Sequence, residues 1–278
     1  VTATGSGAPA ALTVVGCSGS FPGPDSPASC YLVEVPQPGR PDGRPLRVLL
    51  DLGNGALGPL QRLANLHDLD AVLLSHLHPD HFLDACGLYV ALKYDPAQAQ
   101  ERRLPVFGPS GTLERLLQAY GSDGTHLDAV YDVREWSPGR PVELTGADGR
   151  GGAGGGAVAQ VTPYRVNHPV ESYGLRLDTG RAVLAYTGDT DSCPSLLELA
   201  RDADLLLAEA SFQEARDTVR DVHLTGLRAG KVAAEAGARR LLLTHLPVWT
   251  DPEVVHEEAA AAYDGPLEVV APGRRYEF

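Results

Sequence analysis

Residues 76–81 read His76-Leu77-His78-Pro79-Asp80-His81, four metal-type donors in six positions. Imidazole and carboxylate suit Zn²⁺ and its neighbours. A chain leaving a strand cannot bring all four side chains to one ion. Strand alternation sends His76 and His78 the same way, and the Pro79 turn re-aims Asp80 and His81. Two adjacent cations fit this spacing better than one. Three further donors follow apolar runs: His168 after 161–167, Asp189 after 182–185, and His245 after 241–243. A single histidine after a strand is more often a hydrogen-bonded core residue. Three such donors beside the 76–81 motif point instead to one site, built on loops that a rigid scaffold positions.

Strands must hold these donors. Residues 12–16 form a short apolar run before a Gly/Ser/Pro-rich loop at 16–28. Stretches 31–35 and 46–51 read as strands joined across a Pro/Gly turn, and 71–74 as an apolar strand running into the histidine motif. Residues 104–107 are a strand, and 129–166 read as strands interrupted by a glycine-rich loop at 146–156. A hairpin is expected over 173–186, and strands over 204–208, 240–243 and 267–270, the last in the chain. Helical spacing covers 56–65, 83–92, 111–120, 195–201, 226–236 and 252–263. Residues 95–103 read as a polar loop and 1–10 as a flexible tail. Strands followed by helices occur twice. The expectation is a single domain over 11–278, built from two similar halves. Its α/β (α+β) fold has two sheets face to face with helices outside.

Taken together, these motifs resemble the metallo-β-lactamase superfamily, a four-layered αββα sandwich with a binuclear metal site. The resemblance is sharpest to the phosphodiesterase branch that includes tRNase Z. It rests on Gly16-Cys-Ser-Gly-Ser after the first strand, Asp51-Leu-Gly after the third, Ala208-Glu209-Ala in an apolar strand, and His223-Leu-Thr225. The resemblance implies that His76, His78 and His168 bind one metal, that Asp80, His81 and His245 bind the other, and that Asp189 bridges them. It implies catalytic roles for Asp80, orienting the nucleophile, and for His223, protonating the leaving group or stabilising the pentacoordinate charge. Asp51 and Glu209 would orient imidazole N–H groups or His223. The cofactors implied are two divalent metal ions, Zn²⁺ by default, with Mn²⁺ or Fe²⁺ as alternatives. Such a pair, about 3.5–4 Å apart, can hold a bridging hydroxide and clamp a phosphoryl oxygen.

The substrate reading turns on what is missing. The tRNase Z family carries a long tRNA-gripping insertion between the third histidine motif and the bridging Asp. Here His168 and Asp189 are 21 positions apart, filled by one hairpin, and the family's Arg-Tyr after the last metal histidine is replaced by Leu246-Pro-Val-Trp-Thr250. A net charge of -13 also disfavours a long polyanion. The segments 23–29 and 244–250 are closer in layout to actinobacterial relatives associated with cleavage of cyclic nucleotides. The expected function is therefore a cyclic-nucleotide phosphodiesterase, with 3′,5′-cyclic AMP the first substrate to try. The alternatives are a tRNase Z-like RNA 3′-processing endonuclease, a thioester or lactone hydrolase of the same fold, and a degenerate binding module. His223-Leu-Thr225 argues against the thioester reading, and the presence of all seven ligand types against the degenerate one.

No apolar run reaches the length that spans a bilayer. No secretory signal is visible over 1–11, and Cys17, Cys30, Cys86 and Cys193 are scattered with no CxxC pair. A reducing, cytoplasmic setting is expected. Relatives of this branch often form dimers, so a homodimer is an open alternative. His67, His126 and His256 match no part of the pattern and read as surface or loop residues. Tyr89, Lys93 and Tyr94 either overhang the site or pack a helix. Trp249 either walls the pocket, stacking a base, or sits in the core, and Cys193 reads as a packed small residue.

Overall fold

A computed structural model describes residues 8–37, 40, 42–97, 102–121, 126–146 and 157–278. Most of the expected tail, part of the 95–103 loop and the glycine-rich stretch 147–156 lie outside the described residues.

Strands β1 (Ala11–Gly16), β2 (Cys30–Val35) and β3 (Leu46–Leu50) form an antiparallel ladder. β4 (Ala71–Leu73), β5 (Leu104–Gly108) and β6 (Tyr131–Glu135) extend it in parallel. The second sheet repeats the scheme. β7 (Val142–Leu144), β8 (Ala159–Arg165), β9 (Tyr173–Asp178) and β10 (Val183–Tyr186) are antiparallel. β11 (Leu205–Glu209), β12 (Leu241–Thr244) and β13 (Leu267–Val269) then add in parallel. β14 (Arg275–Glu277) returns to the first sheet, with Glu277 opposite Ala11.

The helices are α1 (Leu57–Leu60), α2 (Pro79–Phe82), α3 (Ala85–Tyr94), α4 (Thr112–Tyr120), α5 (Leu127–Val130), α6 (Ser195–Leu199), α7 (Gly226–Ala236) and α8 (Pro252–Ala260). Strand alternation assigns each residue to a layer. Val14, Leu50, Leu73, Leu205, Leu207 and Leu242 enter the core between the sheets. Their neighbours Val15, Leu49 and Val72 pack outward beneath Leu60, Phe82, Leu88 and Leu116. Leu206, Ala208, Leu241 and Leu243 pack beneath α6, α7 and α8. Both strand faces are covered, which is why the parallel strands are continuous apolar runs without polar alternation. At about 1.5–3 kcal/mol for each fully buried large aliphatic side chain, this burial is the main stabilising contribution. α7 and α8 approach closely because Gly226 and Gly230 face backbone: a Cβ on Gly226 would lie 2.1 Å from the Val255 carbonyl oxygen.

The structure is the expected αββα sandwich, with three local differences. The helix expected over 56–65 shortens to Leu57–Leu60, with a 3₁₀ turn at Leu66–Asp68 beyond it. Gly58 and Pro59 weaken propagation there, and Asn65 caps the 3₁₀ turn by accepting from the His67 N–H. α5 takes up the first two residues, 129 and 130, of the stretch read as strand. β14 escaped the sequence reading because three residues with only Tyr276 buried carry no periodicity. No described helix is long and apolar enough to cross a membrane.

Candidate metal centre

The seven expected ligands converge at the C-terminal ends of strands from both sheets. β4 ends and the chain runs through Ser75 to His76 and His78. Pro79 then occupies the first turn of α2, His78 stands as its N-cap at ψ 147°, and Asp80 and His81 follow inside the helix. His168 lies beyond β8, Asp189 beyond β10 and His245 beyond β12. His245 and Asp51, which follows β3, both adopt left-handed backbone, with φ +61° and +57°. A non-glycine residue there costs on the order of 1–3 kcal/mol and persists only where its surroundings impose it.

Two donor groups result, one of His76, His78 and His168, the other of Asp80, His81, Asp189 and His245. In the first, His78 Nδ1 lies 3.1 Å from His76 Nε2 and 3.2 Å from His168 Nε2. In the second, Asp189 Oδ2 lies 3.3 Å from His81 Nε2 and 3.2 Å from His245 Nε2, and Asp80 Oδ2 lies 3.4 Å from His81 Nε2. Asp189 Oδ2 is also 3.7 Å from His76 Nε2, so this carboxylate stands between the groups.

The remaining ring nitrogens are each held by a hydrogen-bond partner that orients the ring. His81 Nδ1–H donates to Asp51 Oδ2 at 2.7 Å, and His168 Nδ1–H donates to the Val222 carbonyl at 2.9 Å. His245 Nδ1 bonds Ser29 Oγ at 2.8 Å, and His76 Nδ1 bonds Ser75 Oγ at 3.1 Å. Each of these four rings is therefore held with its other nitrogen facing inward, the position a metal ligand takes. His81 Nε2, His245 Nε2 and Asp189 Oδ1 are buried with no hydrogen-bond partner. Buried polar atoms are normally satisfied. Three from one donor group, beside three converging imidazole nitrogens, fit divalent cations of the zinc type.

The electrostatics agree. Burial pushes the His76 pKa well below its ordinary value, and those of His78 and His168 down, keeping these imidazoles neutral. Burial alone would raise Asp80 and Asp189. The neighbouring histidines outweigh it, bringing Asp80 to about 2 and Asp189 well below the usual range. At His81 burial acts downward, yet Asp189, Asp51 and Asp80 push its pKa well above the ordinary value. The pocket thus has a surplus of negative charge that cations offset.

Asp51 is fully buried and accepts four hydrogen bonds, from His81 Nδ1–H, the Ser75 N–H and Oγ–H, and the Tyr186 hydroxyl at 2.7 Å. Glu209, also fully buried, accepts His223 Nδ1–H at 2.8 Å and the N–H groups of Thr190 and Ser211. The His223 ring stands 5.6 Å from that of His168 and 5.7 Å from that of His245. Burial acts to lower the His223 pKa, but the charge and hydrogen bond of Glu209 outweigh it and push it up to about 9.

Ser29, Tyr186 and the Val222 carbonyl escaped sequence reasoning, since a hydroxyl or carbonyl far along the chain gives no sign of which imidazole or carboxylate it will meet. Ser75 could have been found by its adjacency to His76. The unmatched histidines stay apart: His67 pairs with Asp95, His126 precedes α5 without a side-chain cap bond, and His256 lies exposed on α8. Tyr89 is buried among the outer helices with Lys93 donating to its hydroxyl, whereas Tyr94 is exposed and lines a separate groove with His67. Cys193 packs partly buried beside Ser195. Trp249 is not in the core. It is 60% exposed, its ring 5.2 Å from that of Phe21.

A model of the β-lactamase superfamily domain matches residues 46–246. The chain belongs to this metallo-β-lactamase superfamily and is a metal-dependent hydrolase. It is 45% identical over 271 residues to the uncharacterized protein ML1173 of Mycobacterium leprae, covering 96% of this chain and 88% of that one. It is 31% identical to the ribonuclease Z of Myxococcus xanthus, over 83% of this chain and 88% of the relative. The crystal structure of the metallo-β-lactamase fold protein YhfI from Bacillus subtilis superposes with a TM-score of 0.80 at 29% identity, covering 97% of this chain and all of that one.

Proposed function

We propose that this hydrolase cleaves a small phosphodiester, a cyclic nucleotide, with 3′,5′-cyclic AMP the first substrate to test. Two divalent cations, Zn²⁺ first, would be held by His76, His78 and His168 and by Asp80, His81 and His245, with Asp189 between. When bound, these cations supply positive charge against the phosphoryl oxygens and ionise water near neutral pH.

The observation that carries the reading is His223. Glu209 keeps this imidazole protonated through neutral pH beside both donor groups. Its Nδ1–H is committed to Glu209, so Nε2–H is the proton to give to the leaving alkoxide, the step a phosphodiester needs. Asp80, ionised down to about pH 2, stays available to bind metal and orient the nucleophile. A small substrate is supported by the short β9–β10 hairpin between His168 and Asp189, and by the net charge of -13. Trp249 and Phe21, exposed on the loops that flank His245, offer a surface on which a base can stack. Cys17, Cys30, Cys86 and Cys193 are all unpaired, which fits a reducing cytoplasm.

The ribonuclease Z relative favours a second reading, RNA 3′-end processing. The Zn²⁺-loaded protein and its His76→Ala, His78→Ala variant are to be assayed with 3′,5′-cyclic AMP, a tRNA precursor carrying a 3′ trailer, and a thioester panel. We expect cyclic AMP hydrolysis by the parent alone. Equal activity of parent and variant would refute the proposal, and cleavage of only the precursor would establish the second reading.

A further inference from the structure

Asp191 lies two positions beyond Asp189, is 1% exposed, and has no part in the chemistry above. All its acceptor positions are filled. Oδ1 accepts the Ser192 N–H at 2.7 Å and Arg228 Nη1 at 3.2 Å. Oδ2 accepts the Asp221 N–H at 2.9 Å and pairs with Arg220 Nε at 2.9 Å. These donors come from its own loop, from the start of α7 and from the loop before His223. Its backbone reaches a fourth segment: the Asp191 N–H donates to the Asn167 carbonyl at 2.8 Å. Asn167 Nδ2 closes the ring on Asp221 Oδ1 at 2.9 Å. Asp221 is held at φ +64°, a conformation its surroundings must impose.

The segments gathered here carry the site. Asn167 precedes His168. Asp221 precedes Val222, whose carbonyl takes His168 Nδ1–H, and His223 follows. Phe212 and Thr225 pair in an isolated bridge, and the stretch between them contains no helix or strand. Side chains must therefore pin its site-facing end.

We propose that Asp191 is a positioning residue that locks the His168 and His223 loops together over the first donor group. The proposal rests on the reading of His76, His78 and His168 as metal ligands. An ionised carboxylate suits the task because it offers about four acceptor positions to two N–H groups and two guanidiniums. Asparagine would turn an NH₂ toward donors. The lock bears on one donor group only. His81 is oriented by Asp51 and His245 by Ser29, and neither residue touches Asp191.

The test uses Asp191→Asn in the full chain, with Arg220→Ala as a milder second variant, since the Arg220 side chain is 54% exposed. In the metal-free protein, NMR follows exchange of His168 Nδ1–H and His81 Nδ1–H. We expect the His168 proton to exchange at least tenfold faster in Asp191→Asn and less so in Arg220→Ala, with the His81 proton unchanged. In Zn²⁺ titrations against a chelator, one of the parent's two equivalents should weaken about 10–100-fold, the usual effect of losing a ligand-orienting partner. Unchanged exchange at His168, or equal weakening of both equivalents, overturns the proposal. The proton measurement needs neither metal nor substrate, so it succeeds or fails separately from the phosphodiesterase reading.

Discussion

Replacing Glu209 by Gln tests the proton donor most directly. The substitution keeps side-chain volume and an acceptor but removes the charge that holds a proton on His223. A pKa pushed from 6.5 to about 9 corresponds to about 3 kcal/mol of interaction favouring the protonated ring, at about 1.4 kcal/mol per unit. Because the folded-state pKa is raised, this stabilisation is complete below about pH 6.5 and is lost as pH rises through about 9. An NMR titration of the metal-free parent should place His223 near 9, and the variant at or below 6.5, since burial remains. Urea unfolding of the two proteins should differ more at pH 6 than at pH 10. At pH 8 the protonated fraction falls from about nine-tenths to a few per cent, so kcat/KM for the phosphodiester should drop about 30-fold where His223 sets the rate. Bound cations lower both pKa values, but the basic limb of the variant should still lie below that of the parent. A basic limb that stays in place while activity falls equally at every pH would refute the role of His223 as acid.

Removing the Asp51 carboxylate by Asp51→Ala should weaken binding of the cation held by His81 by about 10–100-fold. It should also lower stability by several kcal/mol, because the Ser75 N–H and Tyr186 hydroxyl are left buried and unpaired at about 1–3 kcal/mol each; Zn²⁺ titration and thermal unfolding check this. Trp249→Ala should raise KM for a cyclic nucleotide several-fold with kcat retained, and change stability by no more than about 0.5 kcal/mol because the ring is mostly exposed. A normal KM with reduced kcat would remove Trp249 from substrate binding. Chelator treatment should abolish hydrolysis, and Zn²⁺ should restore it without refolding, as steady-state rates and circular dichroism can show.

The layered fold was legible because the strands under the site are buried on both faces. Residues 205–208 and 241–243 had to be unbroken apolar runs, and such runs followed by Glu, His or Asp mark both a strand and the end where donors gather. Short, weakly patterned elements were not legible. The Leu57–Leu60 helix and the Arg275–Glu277 strand are set by tertiary partners, and the latter exists because β1 would otherwise be an open edge. Exposure was equally hidden: the sequence allowed Trp249 either core or pocket wall, and its 60% accessibility excludes the core.

The sequence by itself determined which residue types could meet. His76-Leu77-His78-Pro79-Asp80-His81 contains its own geometry, since strand alternation and a proline at a helix start are local effects. Tertiary structure decided everything that depends on which atom faces which. Ser29 holds the His245 ring from 216 positions away, and Tyr186 reaches Asp51 across the two sheets from 135 positions away. Asp191 gathers four segments that no local pattern connects. Hydrogen bonds and charges act over a few ångströms, and sequence separation carries no information about that distance until the sheets have packed.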